Sequence, residues 1–160
     1  MAVKILTDST SYLKEQIREE LDIRMVSLNI AFEDESIREM DIDNDSFYSK
    51  MALKGIPTSS QPAVGELYDA MLKVVEKGDD LCCIFLSSEM SGTLATGELV
   101  KEMILEKHPE ARIEIIDSRS NCMQLGFAVI SAARAAKEGK AIEAVNRKGY
   151  GLTKKLSFMF

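Results

Sequence analysis

Three stretches of this chain place short hydroxyl and carboxyl side chains directly after an apolar run: "ILTDSTS" at 5–11, "IFLSSEMSGT" at 84–93 and "EIIDSRSN" at 114–121. A fourth, "PTSSQP" at 57–62, is equally rich in hydroxyls without the run before it. Serine and aspartate at such a junction cap helices, and any one of the three taken alone reads first as a cap. Together they have a second use. Hydroxyls and free backbone N–H groups at helix N-termini attract an anion through hydrogen bonds and through the positive helix ends. The residue types alone leave phosphate and carboxylate both open. A nucleotide P-loop is disfavoured because GxxxxGK[ST] does not occur, and the dinucleotide fingerprint is missing as well. A serine nucleophile has no support either. GxSxG is absent, and the single histidine, His108, sits beside Pro109 in a polar turn where it reads as a solvated loop residue.

For the three junctions to meet, their apolar runs must be parallel strands of one sheet. Residues 3–7 read as a short buried strand, and 12–21 carry apolar residues at helical spacing. Residues 22–32 are extended, as one bent strand or two short ones. Residues 45–53 are helical, with Asn44 or Asp45 as the N-cap. The loop 55–61 follows, and Pro62 suits the first turn of a helix reaching about Glu76. Residues 81–86 are apolar throughout, as expected of a central strand covered on both faces. Then come a helix over 91–107, a strand over 112–116, and a long helix over 121–138 stopped by Gly139. Strands alternating with helices predict an α/β fold, a parallel-sheet three-layer α/β/α domain. In such a sheet all strand ends of one polarity share an edge, and ligands bind in the crevice there.

A length of 160 residues allows one domain with a real core. The net charge of −6 argues against a nucleic-acid partner and against electrostatic docking on an anionic membrane. No stretch resembles a signal peptide or a membrane span, so stable membrane insertion is not expected and a cytoplasmic location is. Cys82 and Cys83 are adjacent in a strand and face opposite sides, and Cys122 lies near a helix start. They read as buried reduced thiols, and no metal site is expected. Residues 139–145 begin a helix that the rest of the chain does not plainly continue. Residues 146–160 hold four basic and no acidic residues, a charge of +4 that leaves −10 on 1–145. The expected division is therefore an α/β domain over 1–145 and an atypical, solvated basic tail over 146–160.

The segments "ILTDSTSYL", "PTSSQPAVGELYDAM", "FLSSEMSGTLATGEL" and "IIDSRSNCMQLGFAV", in this order and spacing, resemble the successive signatures of the DegV family, bacterial fatty-acid-binding proteins that include the binding subunits of fatty acid kinase. The resemblance covers roughly residues 2 to 140. It implies a protein of two domains that holds one long-chain fatty acid between them, with the acyl chain in an apolar tunnel and the carboxylate near the domain interface. It also implies that the protein is not itself an enzyme and uses no cofactor. A separate fatty acid kinase subunit phosphorylates the carboxylate of the bound lipid. By matching positions, Ser59 takes the place of the carboxylate-binding threonine of the family's TSQP loop, with Thr58 and Ser60 beside it. Ser91 matches the serine of SGT, the second carboxylate contact, and Gly92 and Thr93 support that turn. Asp8, Ser9, Asp117 and Ser118 match the two remaining strand-end motifs and are expected to shape the crevice.

Two departures stand out. Where relatives have a serine cap before the helix after TSQP, this chain has Ala63 and Val64. The family's second domain is expected after this one, and residues 146–160 do not resemble it. The expectation is a truncated form, through a frameshift or an altered gene end, that associates with itself to cover apolar tunnel surface. Two other functions compete with fatty-acid delivery. One is a small α/β enzyme that holds a phosphorylated metabolite on the same hydroxyl-rich edge. The other is a structural or regulatory remnant that binds no lipid.

Overall fold

A computed structural model describes residues 1–155 of the chain, and the side chains of 1–152. In chain order the elements are β1 (Val3–Asp8), α1 (Glu15–Glu20), β2 (Ile23–Val26), β3 (Asn29–Ala31), β4 (Ser36–Arg38), α2 (Asn44–Lys54), β5 (Thr58–Ser60), α3 (Val64–Val75), β6 (Asp80–Phe85), α4 (Thr93–Leu105), β7 (Ile113–Asp117), α5 (Cys122–Lys137) and α6 (Ile142–Lys155). Single 3-10 turns occupy Ser9–Ser11 and Glu39–Asp41.

Period-two alternation along β6 divides the core. Cys82 and Ile84 pack on one face with Ile5, Leu125, Val129 and Val145, whereas Leu81, Cys83 and Phe85 pack on the other with Leu67, Met71 and Ile104. The strand is apolar at 81–85 because helices cover both faces, α5 and α6 on one side and α3 and α4 on the other. The sheet runs β2-β1-β6-β7 with every pair parallel. This is the three-layer α/β/α arrangement expected from the sequence. Burial pushes the Cys82 thiol up to about 12 and the Cys83 thiol upward as well. Cys122, by contrast, is exposed rather than buried.

A second sheet accompanies the first. It is antiparallel, ordered β4-β3-β5, with Ile30 opposite both Ile37 and Ser59. The extended run 22–32 is thus two strands, β2 and β3, in different sheets. Thr58–Ser60, expected as loop, is a strand.

Several boundaries differ from expectation for local reasons. Tyr12 adopts a left-handed conformation (φ 55) that closes the 3-10 turn, so the helix expected from residue 12 begins at Glu15. Asp43, not Asn44 or Asp45, caps α2 by accepting from the Ser46 N–H at 2.9 Å. Pro62 precedes the N-cap of α3 instead of lying in its first turn. That N-cap is Ala63, which makes no side-chain cap bond. The helix begun near residue 142 continues without a break past residue 145. It is seated on the sheet there: a Cβ on Gly149 would lie 3.1 Å from the Cδ1 atoms of both Ile84 and Ile116. The expected domain boundary at 145/146 therefore falls inside one packed helix.

Candidate functional site

Parallel pairing brings the C-terminal ends of β1, β6 and β7 to one edge, as the three junction motifs require. From β1 the chain moves outward to β2 and then returns across to β6, so the switch point of the sheet lies between β1 and β6. The group found there is a carboxylate of the protein itself. Asp8 is buried. One of its oxygens accepts from the backbone N–H of Thr10 at 3.0 Å and from the Thr10 hydroxyl at 2.5 Å, and the other from the N–H of Leu86 at 2.8 Å. Burial raises its pKa above the ordinary 3.8. The bonds from Thr10 and Leu86 oppose the rise, and the nearby Glu39 carboxylate adds to it.

Ser9 is tied in as tightly. Its hydroxyl donates to Glu39 at 2.5 Å and accepts from the Leu28 N–H at 3.0 Å. The β6 and β7 ends close on each other. Ser118 N–H donates to the Phe85 carbonyl at 3.1 Å, and Ser87 N–H to the Ser120 carbonyl at 2.8 Å. Asp117 accepts from the Ser88 hydroxyl at 2.6 Å and from Arg119 N–H at 2.8 Å, while the Ser118 hydroxyl donates to the Ser120 carbonyl at 3.0 Å. Asp8, Ser9 and Ser118 are buried, and Asp117 is half-buried.

The remaining candidates are accessible. Thr58, Ser59 and Ser60 are exposed on β5, and among the described residues their hydroxyls have no hydrogen-bond partner. Ser59 and Thr58 line a cavity of about 340 Å³ whose wall includes Leu28, Ile30, Phe47, Met51 and Ile56. A larger cavity of about 500 Å³ adjoins it, sharing Ile30, Glu39 and Phe47 and adding Tyr12, Leu13 and Met25. Ser91, half-buried, lines neither of them. Its hydroxyl lies 2.9 Å from that of Thr93 and accepts from the Thr93 N–H at 3.2 Å, where it serves the start of α4. Gly92 is the N-cap residue of that helix, and Thr93 is buried in its first turn.

The sequence reading passed over three groups. Gln61 Nε2 donates to the Thr96 hydroxyl at 3.0 Å, so the "PTSSQP" strand touches the helix that follows Ser91. Glu39 lines both cavities and fixes Ser9. Gln61 and Thr96 both lie inside quoted motifs, and their polarity was the available signal. Glu39 sits in a charged stretch with none. Among the described residues no cluster of His, Cys, Asp and Glu could hold a metal ion, and no helix is long and apolar enough to cross a membrane. Exposed hydroxyls and apolar side chains thus line one cavity beside β5.

Residues 2–160 match the family model described as "Uncharacterised protein, DegV family". The match takes in 146–160, which were expected to stand apart from it. A DegV domain-containing protein of Clostridium acetobutylicum is 54% identical over 160 residues, covering 100% of this chain and 56% of that protein. The crystal structure of DegV, a fatty acid binding protein from Bacillus subtilis, is similar with a TM-score of 0.84 at 31% identity, over 96% of this chain and 54% of that one. A stearic acid-binding protein from Eubacterium ventriosum is similar with a TM-score of 0.84 at 27% identity, over 92% of this chain and 52% of the other. The chain spans about half the length of the curated relatives it matches.

Proposed function

The chain belongs to the DegV family, and on that premise we propose that it binds a long-chain fatty acid, with the carboxylate held by Ser59 and Ser91 and the acyl chain laid against the apolar wall below β5. The observation that carries this reading is the cavity beside Ser59. Hydroxyls without a partner among the described residues adjoin Leu28, Ile30, Phe47 and Met51 there, the mixture an amphiphile needs. The Eubacterium ventriosum protein binds stearic acid and the Bacillus subtilis protein is a fatty acid binding protein, which makes this class the first to test here. Each buried methylene contributes about 0.8 kcal/mol, so the chain supplies most of the affinity and the hydroxyls set its direction.

The protein acts as a carrier and not as a catalyst. It presents the carboxylate to a separate fatty acid kinase subunit in the cytoplasm. Tyr12, Met90 and Met123 follow the ends of β1, β6 and β7, and they are 60%, 57% and 37% exposed. An apolar edge of this kind supports self-association through that face, which sedimentation velocity tests. A monomer at every concentration overturns it. For the ligand, native mass spectrometry of the purified protein with organic extraction is the deciding experiment. A co-purifying long-chain fatty acid is the expected result. A bound phosphate ester would mean a phosphorylated-metabolite site instead, and a protein empty under several expression conditions would mean that it does not bind lipid.

A further inference from the structure

Two hydroxyls can share one carboxylate only if their separation is fixed, and Ser59 and Ser91 belong to different parts of the fold. Ser59 lies on β5, paired with β3 in the small sheet, and Ser91 lies in the turn that enters α4, which packs on the main sheet. Among the described residues no backbone hydrogen bond joins the two segments. One side chain does. Gln61, two residues after Ser59, donates from Nε2 to the Thr96 hydroxyl at 3.0 Å, and that hydroxyl donates onward to the Gly92 carbonyl at 3.1 Å. The amide oxygen of Gln61 lies where a side chain on residue 92 would begin: a Cβ built on Gly92 is 2.5 Å from Gln61 Oε1. At its other end, the Gln61 carbonyl accepts from Asn29 Nδ2 at 3.5 Å, on the strand that pairs with β5.

We infer that Gln61 is a positioning residue for carboxylate recognition. Its amide, lodged over Gly92 and bonded to Thr96, sets the separation of the Ser59 and Ser91 hydroxyls and so gives the site its preference for a carboxylate over an uncharged head group. This rests on the fatty-acid reading above. It also gives Gly92 a specific reason to be glycine. A methyl there displaces the flexible end of Gln61 sooner than it moves the helix, so Gly92→Ala breaks the same contact without touching Gln61.

The test measures displacement of a fluorescent fatty acid from the full chain by dodecanoate and by dodecanol, which share a chain and differ in the head. The wild type is expected to favour dodecanoate. Gln61→Ala, Gly92→Ala and Thr96→Val are each expected to lower the dodecanoate-to-dodecanol affinity ratio by about tenfold, the scale of one well-placed hydrogen bond. Dodecanol affinity and the melting temperature stay close to the wild-type values, which a general structural defect would not allow. Gln61 is exposed, so its removal does not threaten folding. If Ser59→Ala and Ser91→Ala lower the ratio and Gln61→Ala leaves it unchanged, the positioning role is wrong and the fatty-acid reading survives. If the wild type binds neither ligand, that reading falls and takes the positioning role with it.

Discussion

The end of β1 and the β5 segment carry nearly the same side chains, "TDSTS" and "TSSQ", yet they spend them differently. At the end of β1 every polar group is used internally. Asp8 accepts from Thr10 and Leu86, and Ser9 bridges Leu28 and Glu39, all under cover of the sheet edge. At β5 the hydroxyls of Thr58, Ser59 and Ser60 stand exposed and, among the described residues, unpartnered, with Thr58 and Ser59 beside an apolar cavity. The difference follows from position. Asp8 lies at the switch point between two central strands, where the Leu86 N–H would otherwise be buried without an acceptor. β5 lies at the edge of a three-stranded sheet, where only its backbone is paired. A hydroxyl-rich motif is structural where the fold must satisfy its own buried groups, and free for a ligand where it need not.

The strongest way to break this distinction is to remove Asp8. Asp8→Ala leaves the Leu86 and Thr10 N–H groups without their acceptor and is expected to cost about 1–3 kcal/mol in urea denaturation. Asp8→Asn probes the charge separately. A carboxyl whose pKa is raised on folding holds its proton more tightly in the native state than in the unfolded chain. Below the ordinary 3.8 both states are protonated. As pH rises from there through the raised value, the unfolded chain ionises first and native stability falls. The variant lacks this slope, so the stability of wild type relative to Asp8→Asn should shrink as pH rises through that window. Surface carboxyls lowered by lysine partners, such as Asp34 beside Lys54 and Glu35 beside Lys50 and Lys54, have the opposite slope but are common to both proteins and cancel. A relative stability that is flat with pH would mean that burial does not govern Asp8.

A smaller effect is expected between the two regions, at the entrance to α3. Ala63 holds the N-cap position with extended backbone and offers no acceptor. Ala63→Ser should add about 1 kcal/mol by capping a free N–H of the first turn, read as a rise in the denaturation midpoint. Because Ala63 follows "TSSQP" directly, the gain should come without change in ligand preference if the recognition elements are the side chains before it. A drop in lipid occupancy with the added cap would show that the loop needs its present freedom.

The main sheet was legible because its strands are apolar runs and its helices repeat at helical spacing, signals that burial on one or both faces imposes. The small sheet was not. β5 is polar and exposed throughout, and β4 has one apolar residue, Ile37, among its three, so each run is too short for alternation to be read. The continuation of α6 was obscured by composition. Residues 146–155 are basic and include Gly149 and Gly151, yet the face carrying Gly149 meets Ile84 and Ile116. At the site, motif matching singled out Ser59 and Ser91. It gave no sign that Asp8 and Ser9 are consumed internally, because burial depends on strand order, which a linear motif does not contain.

The smallest expected effect on stability is also the most informative. Ser59 is exposed, its hydroxyl has no partner among the described residues, and it faces Ile30 across an edge pair, so Ser59→Ala should change unfolding free energy by less than about 0.5 kcal/mol. The same substitution removes a hydroxyl proposed to meet the ligand, so bound fatty acid should fall in occupancy or lose a fixed orientation, measured by extraction and by the carboxylate-to-alcohol affinity ratio. Asp8→Ala should show the reverse pattern: stability lost, and head-group preference retained in the molecules that remain folded. Should Ser59→Ala lower the melting temperature as far as Asp8→Ala does, its hydroxyl belongs to the fold and not to the ligand. The end of β1 and the β5 segment would then differ in burial but not in kind.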